Sequence, residues 1–574
     1  MKRRSIATVI NLAMSFGLGA VLLTAATKAA KSAPAKKKKE GVFKSPRIEI
    51  GLEPIYSGKR VLDFTPFADA LPKMTASKAA ALDKTLLTGT ITDIYRLVEA
   101  GKLTFEQLTL YYLYRIKRYD VGKLQSVGEL NPVALDIARE RDAEWKAGKR
   151  RGALHGIPVL LKDNIGTGDG LHNTAGVKAL VEERADRDAF LVTRLREAGA
   201  IILGKANMSE WAYWMSSKAP SGFSANGGQV RNPYGKYDPS GSSSGSAVAA
   251  AANLATVTVG SETTGSITSP SSANTVVGIK PSLGVVSRDR IIPICDYMDT
   301  AGPITRTVTD AAILLGALSG SDANDSITAK ATSLHGKDFT AYLKADGLRG
   351  ARIGVPVPSD PTLPKKKTQF LQFDQSILAT LREAGAELIE VPLDLAISPF
   401  AESDEKPYLA VLSYGFRAGV NQYLAATNSR VKSVAEIVAF NQADPTNRVP
   451  YGQDLVEGSE NIKLTEAEYH TLAQGLAETR QKLIRQVLND YRLDALITNG
   501  SSFSPIYCPP GFPALTVPAG YKRGRPFGIT FVGDYLSEPT LIRLGYAFEQ
   551  TTQARRSPRL ETTKASPRST RKKK

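Results

Sequence analysis

The stretch DPSGSSSGSAVAAAA, residues 238–252, places four serines and two glycines at positions 241–246 and runs straight into alanines. A Gly/Ser tract by itself reads as a flexible linker, because nothing in it offsets the entropy of ordering. The alanines behind it are strong helix formers, which a mere spacer does not call for. Two other stretches bear on the choice. HGIPVLLKDNI, residues 155–165, ends an apolar, strand-like run on Lys162, where burial would strip an ammonium group of its hydration. The lysine head either snorkels to water, pairs with Asp163, or is kept dry for chemistry. GSETTGSITSP, residues 260–270, is a second serine- and glycine-rich turn and directly follows the β-rich run LATVTV. A turn after a strand also suits a phosphate loop, but neither tract has the G-x-x-x-x-G-K-[ST] pattern, which disfavours a nucleotide site.

The chain of 574 residues is 42% hydrophobic and 23% charged, the balance of a globular protein able to bury a core. Its formal charge of +18 sits at the two ends. Residues 1–39 hold nine Lys/Arg and no acid, residues 555–574 hold nine against Glu561, and residues 40–554 keep a net +1. Such ends are solvated tails that associate weakly, and in a salt-dependent way, with anionic envelope surfaces. With no interleaved aromatic platform, no specific nucleic-acid recognition is expected.

MKRRS followed by IATVINLAMSFGLGAVLLTAA has the basic start, apolar run and small-residue end of a secretory signal peptide, assigned to residues 1–35. Cleavage after Ala26, Ala30 or Ala35 fits equally well. An uncleaved anchor is the alternative, since residues 6–26 are about long enough to span a bilayer. Either way the body is expected to be exported, periplasmic or secreted. Only Cys295 and Cys508 occur; they could pair, but two cysteines make no disulfide framework. Neither they nor His155, His172, His335 and His470 show a metal-ligand pattern. No metal and no cofactor is expected.

Residues 36–89 read as a linker and N-terminal extension. Beyond them helix and strand periods alternate. Thr104 and Gln107 form a capping box ahead of Leu108, Tyr111, Tyr112 and Ile116. Short β-rich runs begin near residues 157, 200, 254, 352, 387, 494, 514 and 528, with helical stretches between them, among them 308–318 and 539–550. This pattern predicts an α/β body over 90–553, a largely buried sheet covered by helices. A polar, helical elaboration is placed around 330–490, and residues 554–574 form a basic tail. Trp211, Tyr213, Trp214 and Met215 line an apolar pocket or belong to the core.

Taken together these motifs resemble the amidase signature family of serine hydrolases. The glycine- and serine-rich signature of that family corresponds to SGSSSGSAVAAAA and GSETTGSITSP, supported by GIPVLLKDNI, GAIILGKANMSE, VVGIKPSLGVVSRDRIIPI, DTAGPITRTVTDAA, GFPALTVPAGY and FGITFVG. The likeness covers about residues 90–553 and is strongest to the peptide-amidase branch. It implies the amidase signature fold, an α/β architecture with a central mixed, mostly buried sheet covered by helices on both faces.

The resemblance also implies a Ser, cis-Ser, Lys triad: Ser266 as nucleophile, Ser242 as relay after a cis peptide bond from Gly241, and Lys162 as base. The backbone N–H groups of Thr263, Thr264, Gly265 and Ser266 would face the developing oxyanion. Ser240, Thr264 and Thr268 depart from the residues usual in the family. The implied activity is cleavage of small-molecule or peptide amides through an acyl-enzyme, releasing ammonia or an amine, with C-terminally amidated peptides among the substrates. Two other readings are an inactive binding protein of the same fold and an amidotransferase subunit.

Overall fold

The computed structural model describes residues 61–394 and 405–560. The N-terminal segment on which the export reading rests and the end of the basic tail lie outside them. Among the described residues no helix is long and apolar enough to cross a membrane.

Local chemistry sets the first elements. Thr104 accepts from the Gln107 amide while the Gln107 side chain accepts from the Thr104 amide, and the helix Phe105–Arg115 follows. Its apolar residues enter the main core together with Phe67, Leu71 and Leu86 from the segment before residue 90. The strands are β1 (Val127–Leu130), β2 (Pro158–Lys162), β3 (Ile201–Ala206), the short pair β4 (Phe223–Ser224) and β5 (Gly228–Gln229), β6 (Val257–Glu262), β7 (Val277–Lys280), β8 (Thr300–Thr305), β9 (Arg352–Pro358), β10 (Glu387–Leu393), β11 (Ala495–Asn499), β12 (Ala514–Lys522) and β13 (Arg525–Val532). Eleven of them form one mixed sheet in the order β1-β3-β2-β6-β8-β7-β12-β13-β11-β9-β10. Helices flank it, and β2, β3, β6, β7 and β8 are buried along their whole length. Burial of both faces explains why their sequences read as near-continuous apolar or small-residue runs rather than alternating ones.

Each of the eight β-rich runs in the sequence lies in a strand of this sheet, and the helix over 308–318 is observed as Val308–Leu318. Three strands of the sheet, β1, β7 and β8, correspond to none of these runs. β8 carries Gly302 and Pro303, which weaken a strand signal, yet Pro303 sits opposite Val259 in the antiparallel pair with β6. The segment 330–490 divides in two. Its strands β9 and β10 pair in parallel at one edge of the sheet. Its helices, led by Glu405–Ala425 and Glu466–Asp490, build a second core with Trp211, Trp214 and Met215. Trp211, Trp214 and Met215 are therefore core; of residues 211–215 Ala212 lines the adjoining cavity, while the half-buried Tyr213 donates its hydroxyl to the Ala219 carbonyl at 3.0 Å. Cys295 and Cys508 are both free and buried.

The alanine-rich tract forms the helix Ser244–Ala251, and all eight of its residues are buried. It packs on β2, β3, β6 and β8, which small side chains permit at close range. A Cβ added at Gly245 would lie 2.1 Å from the Asn207 carbonyl oxygen and 2.4 Å from that of Ser126. The helix thus starts in direct backbone contact with the loop after β3, through the Gly245 amide donating to the Asn207 carbonyl at 2.9 Å. Gly245→Ala is expected to destabilise the fold by about 3 kcal/mol or more, since neither carbonyl belongs to a flexible side chain. A urea unfolding midpoint indistinguishable from that of the unaltered protein would contradict this packing.

Candidate active site

Strands β2 and β6 run parallel and adjacent, with Leu161 opposite Val259. Their carboxyl ends therefore deliver Lys162 and Ser261 to the same edge of the sheet, where open α/β sheets commonly hold ligands. Lys162 is fully buried and does not snorkel. Its Nζ lies 2.7 Å from Ser242 Oγ, 2.9 Å from Ser261 Oγ and 3.1 Å from the Ser261 carbonyl oxygen. The Asp163 carboxylate accepts from the amide and hydroxyl of Thr174. Burial lowers the Lys162 amine from its ordinary value to about 7, with the carboxylates of Asp299 and Glu262 acting in the opposite direction. An amine in this range is substantially neutral at physiological pH.

Ser242 follows a cis peptide bond from Gly241, and its carbonyl accepts from the Ser209 amide at 3.1 Å. The next residue locks this turn to β6: Ser243 Oγ donates to the Ser261 carbonyl at 3.0 Å and accepts from the Ser261 amide at 3.2 Å. The Ser243 amide also donates to the Ser266 carbonyl at 3.2 Å. The two serine-rich turns are thereby stitched together through their main chains. Ser266 is 7% exposed and stands two residues before the short helix Thr268–Ala273.

The turn from Glu262 to Ser266 is fixed from several sides. Glu262 reaches forward so that one carboxylate oxygen accepts from the Ile267 amide at 2.7 Å, the Thr268 amide at 2.9 Å and the Thr268 hydroxyl at 3.2 Å. Its other oxygen accepts from Tyr507 at 3.3 Å. Gly265 adopts φ +80°, and a Cβ there would meet Ser501 Cβ at 3.1 Å, so a side chain is both strained and crowded. The Thr263 hydroxyl is hydrogen-bonded to Asp299, whose second oxygen accepts the amides of Ile294 and Cys295. Burial raises that carboxyl to about 6, opposed by these donors. Among the described residues, the amides of Thr263, Thr264 and Ser266 make no hydrogen bond to the protein, whereas the Gly265 amide, expected from the sequence to belong with them, donates to the Cys508 thiol.

The three departures from the family pattern all have partners. Ser240 Oγ is 2.7 Å from Ser269 Oγ, Thr264 Oγ1 bonds the Tyr408 hydroxyl, and Thr268 bonds both Glu262 and Tyr507. Beside the turn lies a cavity of about 380 Å³, reached by Ser261, Glu262 and Thr263 and walled by Asn164, Ile292, Tyr414, Tyr423 and their neighbours. Sequence reasoning assigned no role to Asn164, Ser261, Glu262, Asp299 or Tyr408. Glu262 and Asp299 lie within motifs that were read as matches, so a spacing signal existed for them. Tyr408 left none, because its contact joins residues 144 positions apart. No group of three or more His, Cys, Asp or Glu placed to hold a metal occurs among the described residues.

The amidase family model matches residues 107–506. A probable amidase of Arabidopsis thaliana is 40% identical over 481 residues, 82% of this chain and 91% of that protein. The native peptide amidase of Stenotrophomonas maltophilia is 40% identical, with a TM-score of 0.76 over 82% of this chain and 99% of that one. A glutamyl-tRNA(Gln) amidotransferase subunit of Halorhodospira halophila is 32% identical over 502 residues, 81% of this chain and 97% of that protein. The chain belongs to the amidase family, has its fold, and is an amide-hydrolysing enzyme.

Because Glu262 satisfies two buried amides, Glu262→Ala is expected to destabilise the protein by about 1–3 kcal/mol for each donor left without an acceptor. Glu262→Gln, which keeps one carbonyl oxygen, should lose less. Differential scanning calorimetry reads the order directly, and equal thermal midpoints for both variants would count against the clamp.

Proposed function

We propose that this enzyme cleaves carboxylic amides, C-terminally amidated peptides among them, with Ser266 as nucleophile, Ser242 as proton relay and Lys162 as base. The observation that carries the reading is the surroundings of the Lys162 amine. A neutral amine has two N–H bonds and one lone pair. Ser261 offers two acceptors, its carbonyl and its hydroxyl oxygen. With both N–H groups directed there, the lone pair is left facing Ser242 Oγ at 2.7 Å. Ser242 can then donate to Lys162 while accepting from Ser266, because a hydroxyl does both.

Attack by Ser266 Oγ on the amide carbon forms the carbon–oxygen bond as its proton passes to Ser242 and the Ser242 proton passes to Lys162. The negative charge that develops on the carbonyl oxygen meets the N–H groups of Thr263, Thr264 and Ser266, whereas the Gly265 amide of the sequence-based set is directed at the Cys508 thiol. Donors of this kind stabilise a tetrahedral intermediate by roughly 3 kcal/mol each. The ammonium formed at Lys162 returns a proton through Ser242 to the leaving nitrogen, which departs as ammonia or an amine. Water then repeats the sequence on the acyl-enzyme and frees the acid.

Similarity to an amidotransferase subunit supports a second reading, in which the ammonia is handed to another acceptor rather than released. Free ammonia appearing stoichiometrically with acid, from the isolated chain and a simple peptide amide, distinguishes hydrolysis from that transfer. The N-terminal pattern in residues 1–35 supports a site of action outside the cytoplasm, which cell fractionation tests.

Ser266→Ala is expected to abolish turnover and labelling by a fluorophosphonate probe while the circular dichroism spectrum is preserved; residual hydrolysis by the pure variant would exclude Ser266 as nucleophile. The pH profile follows from the sign of the lysine shift. Protonation occupies the lone pair, so kcat/KM should fall as the pH drops through about 7 and level off above it. A rate that stays flat well into the acid range would rule out a lysine base.

A further inference from the structure

The oxyanion donors proposed above lie on a turn whose two consecutive threonines are tied to different parts of the molecule. Thr263 is held by Asp299, just ahead of β8, whereas Thr264 is held by Tyr408. Thr264 and the Tyr408 hydroxyl meet in a buried environment, where each hydroxyl has strong reason to keep its partner. The tyrosine ring is itself braced, with the Arg480 guanidinium 5.7 Å from its centre. Arg480 is anchored in turn, since its Nε donates to the Pro505 carbonyl at 2.8 Å.

Tyr408 lies in the first turn of the helix Glu405–Ala425, and the same helix walls the 380 Å³ cavity through Tyr414, Gly415, Ala418, Gly419 and Tyr423. One rigid element therefore touches both the space for the body of a substrate and the residue whose N–H faces the oxyanion. We propose that Tyr408 is a positioning residue, fixing Thr264 so that the oxyanion amides are aligned and the seating of a substrate against the helix is expressed in turnover rather than in binding. This inference rests on the hydrolytic reading and adds to it a link between the elaboration and the rate of the chemical step.

The consequence is a particular kinetic signature. A misaligned oxyanion donor weakens the transition state while leaving ground-state contacts in the cavity intact, so kcat should fall and KM should not. Because Tyr408 and Thr264 act through one hydrogen bond, removing either end should have the same effect, and removing both should add nothing.

The test is steady-state hydrolysis of an N-acetylated dipeptide amide by Tyr408→Phe, Thr264→Val, the double variant and Thr264→Ser. Tyr408→Phe and Thr264→Val are each expected to lower kcat by at least about tenfold with KM within about twofold. The double variant should match the single ones, and Thr264→Ser, which restores the hydroxyl, should recover kcat to within about threefold of the unaltered protein. If Tyr408→Phe does not fold, the Thr264→Val and Thr264→Ser pair decides the matter alone. A kcat within about twofold of the unaltered protein in both single hydroxyl-removing variants, losses that multiply in the double variant, or a drop carried by KM overturns the proposal. No turnover by the unaltered protein overturns the hydrolytic reading, and this inference with it.

Discussion

A lysine amine enclosed by serine oxygens and shut away from water is the constraint around which the rest of the site is arranged. Hydration would stabilise its protonated form, and a partnering carboxylate within contact distance would hold it charged. Both are kept at a distance. The amine sits at the last residue of a fully buried strand, and its contacts are neutral oxygens of Ser242 and Ser261. Burial outweighs the pull of Asp299 and Glu262 and brings the amine to about 7. The parallel register of β2 and β6 makes this possible, since it brings the end of one strand beside the end of the other without any loop having to reach across.

The second requirement is geometric, because hydroxyls and amides act on a reacting group only if they are held before it arrives. Here the holding comes from widely separated parts of the chain. Ser243 joins the turn at Ser242 to β6 and to Ser266; Glu262 gathers the amides after Ser266; Asp299 and Tyr408 take the two threonine hydroxyls. The helix Ser244–Ala251 anchors the turn at Ser242 from behind, and Gly245 lets it press on the loop after β3. Such a site depends on the carboxyl ends of β2 and β6 and the turns beyond them staying in place together. The helices of 405–490 add a second core on one side and supply one wall of the cavity.

Much of the fold could be read in advance where a signal was local. The capping box at Thr104, the helix at Val308–Leu318 and eight strand-bearing runs each declare themselves within a dozen residues. β1, β7 and β8 could not be read in this way, because four residues, as in β1 and β7, and a Gly-Pro pair, as in β8, give no period, and their pairing partners alone make them strands. The aromatic and methionine cluster at 211–215 was ambiguous for a similar reason: composition cannot tell a pocket wall from a core until the facing helices are in place.

What the sequence determined by itself was the set of candidate groups and their order along the chain: a lysine closing an apolar strand, a serine turn opening an alanine helix, and a second serine turn after a strand. Side-chain identity and local backbone preference are short-range properties, so they survive in one dimension. Only the tertiary structure decided which neighbours surround the amine, which oxygens stand within its reach, and which distant tyrosine grips the turn before Ser266. Those depend on desolvation and on contacts between residues tens to hundreds of positions apart, and neither exists until the sheet and its helices have closed around them.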